Sequence, residues 1–158
     1  MTRLERRALG AGTLSLLLLA AALGFQYLGG LAPCPLCLWQ RWPHAAAIVL
    51  ALLVLAWPAR GLALVAAFVV LVGAGIGLYH AGIEWGVWPG PASCTAPGNV
   101  AAMSAADLVA HLERAPVVRC DDVAWSLLGL SMAAWNALAS LVCGLLWLRA
   151  YASSSASQ

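Results

Sequence analysis

GLALVAAFVVLVGAGIGLY, Gly61–Tyr79, runs without a charged side chain. A stretch of that length and composition approaches the roughly 20 apolar residues that a helix needs to cross the hydrocarbon of a bilayer. Three further runs flank it: Leu9–Leu28, uncharged and leucine-rich; one from about Leu38 or Pro43 to Trp57; and one over about Ala124–Leu148. Backbone groups in lipid must satisfy one another within the segment, so all four read as helices. WPAR at 57–60 is too short for anything but a tight turn, which makes the second and third runs an antiparallel hairpin.

The whole chain agrees with this reading. Of its 158 residues 63% are hydrophobic and 9% charged, against about 45–50% and about 25% in soluble domains. The expected fold class is an all-α membrane protein, a four-transmembrane-helix bundle in one membrane domain over residues 1–158, with no second soluble domain. A net charge of +2 and eight scattered arginines exclude a nucleic-acid partner. The Arg-rich start resembles a signal peptide and LAPC at 31–34 resembles a lipoprotein cleavage site. Pro33, however, stands where cleavage wants a small residue, and three more spans come after it, so Leu9–Leu28 reads as the first span.

Arginine placement orients the bundle. Arg3, Arg6, Arg7, Arg60 and Arg149 fall on one side, against Arg41, Arg114 and Arg119 on the other, so the tails and the short turn face the cytoplasm. The segment Ala81–Val123, rich in Pro, Gly, Asp and Glu, then forms a long loop outside.

That assignment puts Cys34, Cys37, Cys94 and Cys120 on the outward side and Cys143 deep in the fourth run. Thiols outside the cytoplasm oxidise readily, so four of them read as two disulfides: Cys34 with Cys37, and Cys94 with Cys120 closing the long loop. A bridge closing a loop as small as CPLC removes little chain entropy, which favours exchange chemistry over stapling. Cys37 at the start of the second helix would feel the helix dipole, and Arg41, four residues on, would share its face; both favour a thiolate. Haem attachment would want His where Leu38 stands, and no second C-x-x-C supports a zinc site. No metal is expected. Cys143 reads as an inert core residue.

Within the loop, WPGPASCTAPG (88–98) is too rich in Pro and Gly for a helix and is expected to expose Cys94 on an extended strip. SAADLVAHLER (104–114) opens with a capping box and gathers Leu108, Val109 and Leu112 along one side, as a short interfacial helix would, with His111 on its polar face.

CPLC followed by Arg41, the pair Cys94 and Cys120, PGPASCT, and RCDDVAWSLLGLSMAAWNAL at 119–138 together resemble the disulfide bond formation protein B family, membrane thiol oxidoreductases of bacterial envelopes. The resemblance implies a multi-pass protein of the bacterial inner membrane that reoxidises a periplasmic thioredoxin-like dithiol oxidase (DsbA type) and passes the electrons to a quinone, ubiquinone or menaquinone. It implies catalytic roles for Cys34, Cys37, Cys94 and Cys120, and a quinone site at Cys37 and Arg41 to which His80, at the outer end of the third helix, is added as a candidate contact. Glu84 and Trp88 are weaker candidates with membrane-interface anchoring as the alternative, and Gln40 stands where some relatives carry an acid. Two rivals are a reductase of the vitamin K epoxide type, whose loop cysteines precede its C-x-x-C, the reverse of the order here, and a non-enzymatic scaffold stapled by disulfides.

Overall fold

The computed structural model describes residues 1–91, 94, 104 and 118–153. Among them four helical spans are long and apolar enough to cross a membrane. The chain is a multi-pass membrane protein of all-α class.

Helix α1, Arg3–Tyr27, starts two turns before the apolar run expected from Leu9. A capping box explains the extension: Glu5 N–H donates to the Thr2 hydroxyl oxygen and the Glu5 carboxylate accepts from Thr2 N–H. Arg3, Arg6 and Arg7 therefore ride on the helix, and Arg7 Nη1 donates to the Arg149 carbonyl at 2.6 Å. The helix stops where Gly30 takes a φ of +68°, a conformation that a side chain would strain.

The second span is broken. Helix α2, Pro35–Trp39, and helix α3, Arg41–Ala56, meet at Gln40. Pro43 supplies the cause, since it has no N–H to offer the Trp39 carbonyl and its ring crowds that carbonyl. Both proposed starting points, Leu38 and Pro43, thus lie inside one helical span that begins at Pro35. Trp57 is extended because Pro58 comes next. Helix α4, Arg60–Glu84, continues a turn beyond the expected Tyr79 because AGIE contains no proline; Gly86 at φ +70° ends it.

The fourth run differs most from expectation. Residues 124–131 are not helical: strands β1 (Ser126–Leu127) and β2 (Leu130–Ser131) pair antiparallel around Leu128–Gly129, both at positive φ. Two such residues in sequence make the primed turn that suits a tight hairpin. Helix α5, Met132–Ser153, comes next, with the Ser131 hydroxyl accepting from Ala134 N–H as its cap.

Around the bundle α1 packs on α3 and α5, and α4 packs on α3 and α5. Small residues let the helices close up: a side chain at Gly77 would meet the Ala137 backbone at 3.0 Å, and one at Gly73 would meet Pro43 at 2.9 Å. Leu17, Leu52 and Phe68 face outward, where lipid surrounds a membrane bundle. Cys143 lies fully buried in the core, against Ser15 and the Ala11 carbonyl. A second buried cluster, of Cys34, Ile83, Cys94 and Cys120, sits at the end of the bundle away from the WPAR turn.

The interfacial helix expected over 104–114, with His111 and Arg114, lies outside the described residues, as does most of the strip around Cys94.

Candidate functional site

Cys34 is the N-cap of α2. Its sulfur accepts from Cys37 N–H at 3.1 Å, and Pro35 holds the first helical position, where a missing N–H costs nothing. Three residues on, the Cys37 sulfur comes to 2.7 Å from that of Cys34. Both are free thiols, while Cys94 and Cys120 are joined by a disulfide. Hydrogen bonding to Cys37, then burial, push the Cys34 thiol far above its ordinary range, so Cys34 is the member of the pair that keeps a proton.

The loop disulfide is not displayed to solvent. Cys94 is 3% exposed and Cys120 is fully buried, both against Cys34 and Ile83. The expected exposure of Cys94 is thereby corrected: Cys94 N–H donates to the Pro91 carbonyl, and the disulfide packs into the end of the bundle. Next to Cys120, Arg119 grips Asp121 through Nε and Nη2; this exposed pair holds the Asp121 carboxyl below the usual range.

His80 is 3% exposed and central to the site, with Nε2 at 3.6 Å from the Cys34 sulfur and 4.0 Å from a Glu84 carboxylate oxygen. Gln40 decides its tautomer. The Leu36 carbonyl can only accept, so the Gln40 atom 3.2 Å from it is the amide nitrogen, which also lies 2.8 Å from His80 Nδ1. Nδ1 accepts, and the ring proton sits on Nε2, toward Cys34 and Glu84. The Gln40 oxygen in turn accepts from Asn136 Nδ2 at 2.7 Å, which leaves the Asn136 oxygen facing His44 Nε2 at 3.1 Å. Glu84, only a weaker candidate on sequence grounds, accepts a hydrogen bond from the Ser131 hydroxyl.

Arg41 makes its hydrogen bond to α1. Its Nη1 donates to Gln26 Oε1 at 2.6 Å, and among the described residues no hydrogen bond joins it to Cys37. Arg41 and Cys37 instead share the wall of one cavity of about 520 Å³. That volume lies within the roughly 300–1,000 Å³ of small-molecule sites. Leu18, Ala22 and Phe25 make part of the apolar wall, while Cys37, Arg41, His44, His80 and Glu84 supply polar groups. Gln26, His44 and Asn136 were not singled out from the sequence. The signal that could have found them is a polar side chain inside an apolar span.

Donor atoms of Cys34, Cys37 and His80 lie within 4.8 Å of one another, close enough for three ligands of a soft metal. The His80 nitrogen among them already carries the proton, and baring it would require turning Gln40 away from the Leu36 carbonyl.

Two free thiols, a buried disulfide and an apolar cavity thus meet at one end of a four-helix bundle. A family model described as "Disulfide bond formation protein DsbB" matches residues 5–150. The chain belongs to the DsbB family. Among curated proteins it is similar to Disulfide bond formation protein B of Verminephrobacter eiseniae (strain EF01-2), 32% identical over 159 residues covering 92% of this chain and 85% of the relative. No solved structure matches it. Membership in the DsbB family makes it a disulfide formation protein.

Proposed function

We propose that this DsbB-family chain is a quinone-dependent protein-disulfide oxidoreductase of the bacterial inner membrane, which reoxidises a periplasmic thioredoxin-like dithiol oxidase of the DsbA type. The observation that carries this reading is the burial of Cys34, Cys94 and Cys120 in one cluster beside a cavity lined by Cys37. Orientation is argued from charge: Arg3, Arg6, Arg7, Arg60 and Arg149 favour the cytoplasm at their end, which turns the cysteines outward.

In the exchange, a thiolate of the reduced oxidase attacks Cys94 and breaks its bond to Cys120, which leaves as a thiolate. Cys120 then attacks Cys34 of the oxidised Cys34–Cys37 pair, releasing Cys37 as a thiolate into the cavity. The second thiol of the oxidase displaces Cys94 and the oxidase departs with its disulfide restored. Cys94 recaptures Cys120 and frees Cys34. The outcome is the state of this structure, a Cys34/Cys37 dithiol beside a Cys94–Cys120 disulfide.

Closing Cys34–Cys37 again removes two electrons and two protons. The cavity fits a quinone head group: its walls are mostly apolar, and its polar groups gather around Cys37. A quinone bound there supplies the two-electron acceptor. Cys37 and Arg41 would hold its ring, with the cation favouring negative charge on a ring oxygen. His80 Nε2–H would stabilise the Cys34 sulfur as it sheds its proton.

The test is reoxidation of a reduced periplasmic oxidase by purified protein, with and without added quinone. Quinone-dependent turnover should vanish in Cys37→Ser and weaken in Arg41→Ala. Absence of turnover with every partner and quinone tried, with the outer cysteines unresponsive to quinone removal, would leave the stapled scaffold.

A further inference from the structure

Two arginines line the cavity, and they are held differently. Arg119 grips the Asp121 carboxylate, so its charge is compensated on the spot. Arg41 gives Nη1 to the side chain of Gln26 at 2.6 Å and, among the described residues, joins no ion pair. A guanidinium can only donate, so the Gln26 atom that it meets is the amide oxygen. Gln26 itself does not line the cavity. Whatever Gln26 does for a molecule bound there, it does through Arg41.

The need for such a partner follows from where Arg41 stands. It is the first residue of α3, near the end of the span that begins at Pro35. A long cationic side chain at that depth extends toward head groups and water unless something retains it. Side chains of a helix also lean toward its N-terminus, here the same direction. Gln26, in the last turn of α1, supplies the retaining contact from the neighbouring helix. The choice of an amide matters as well. A carboxylate would hold the guanidinium as firmly but cancel its charge at contact distance, whereas a neutral oxygen fixes the group and leaves the charge to the cavity.

We propose that Gln26 is a positioning residue, which holds the Arg41 guanidinium at the cavity wall with its charge uncompensated, so that the cation meets a ring oxygen of a bound quinone. This rests on the quinone reading above. Arg41 is the group that touches the ring, and Gln26 sets where that group stands.

The experiment measures dissociation constants of ubiquinone-1 and menadione for detergent-solubilised protein. Gln26→Met keeps the unbranched bulk of the side chain and removes the acceptor. It should weaken binding of both quinones about fivefold to tenfold, the strong end of a single interhelical hydrogen bond in a membrane. Gln26→Glu keeps the acceptor and adds a counter-charge, and should weaken binding at least as much. In Arg41→Ala protein, Gln26→Met should alter binding by less than about twofold, the scatter of independent sites, because the group through which Gln26 acts is gone. A loss caused only by a loosened bundle would persist in that background. A second readout needs no quinone. In wild type labelled with ¹⁵N-arginine the Arg41 Nη1 and Nη2 signals should be separate, since one nitrogen is held, and in Gln26→Met they should merge. Merged signals in wild type, unchanged dissociation constants in Gln26→Met or Gln26→Glu, or an equal loss with and without Arg41 overturns the inference and leaves the quinone reading standing. Failure of wild type to bind either quinone overturns both. Should Gln26→Met not fold, Gln26→Glu and the wild-type signals decide.

Discussion

Gln40 is 6% exposed and ties the α2–α3 junction to two other helices, to His80 on α4 at 2.8 Å and to Asn136 on α5 at 2.7 Å. Replacing it with leucine keeps the side chain's bulk and removes both bonds. Soluble-protein penalties for stranded buried groups, about 1–3 kcal/mol each, would put the loss as high as about 6 kcal/mol. Interhelical hydrogen bonds in membranes are weaker, averaging about 0.6 and reaching about 1.7 kcal/mol, because the unfolded chain in lipid also finds partners. The membrane scale governs here, since all three residues lie in spans, and two bonds then give a loss of about 1–3 kcal/mol. The measurement is equilibrium unfolding in mixed micelles for Gln40→Leu, His80→Leu and the double variant. The pair should couple by about 0.6–1.7 kcal/mol; a coupling under about 0.3 kcal/mol, the scatter of independent sites, would refute the claim that Gln40 holds His80.

The geometry makes two further outcomes testable. Gly77→Leu places a side chain on the Ala137 backbone, 3.0–3.1 Å from its N and Cα, which cannot step aside; it should cost about 1–3 kcal/mol or more in the same unfolding assay, whereas Gly61→Ala, with open space around it, should be nearly neutral. The Cys34 thiol is shifted upward by its bond to Cys37 and by burial, so the neutral form is favoured; iodoacetamide should leave Cys34 in Cys37→Ala protein more reactive than in wild type near pH 8.5, because removing Cys37 removes the larger cause. Equal rates would refute the attribution.

The spans were legible because hydropathy is a property of composition, and lipid forces the same backbone solution on every long apolar run. Legibility failed where a local conformation or a partner across the bundle decided the outcome. AWSLLGLS at 124–131 is apolar enough to read as the start of a span, yet Leu128 and Gly129 turn it back as a hairpin. The tetrad Cys34, Cys37, Cys94 and Cys120 and the residue Arg41 were visible from spacing and charge. Arg41's partner, Gln26, was not, because it lies fifteen residues away on α1, a contact across the bundle that i,i+4 counting does not reach. His80 drew notice only as a histidine at a helix end; its importance lies in contacts with Cys34 and Gln40, which come from elements far away in sequence.

Burial of Cys94 sets two demands of the proposed exchange against each other. Passing electrons inward requires Cys120 to reach Cys34, and their common cluster meets that need without a long excursion of the loop. Accepting electrons from a folded oxidase requires Cys94 to be attacked along its bond to Cys120, and at 3% exposure it offers no approach for a protein-borne thiolate. Both demands can be met only in sequence, with the contact between Cys94 and Ile83 opening before attack and closing after it. Opening of so small a patch costs far less than unfolding the bundle, since local openings draw on the low end of a protein's stability range. A partner that docks well can offset that cost through its own contacts, whereas a small thiol cannot. On the proposed function, the buried disulfide therefore favours a docked oxidase over glutathione by access, in addition to any difference in redox potential.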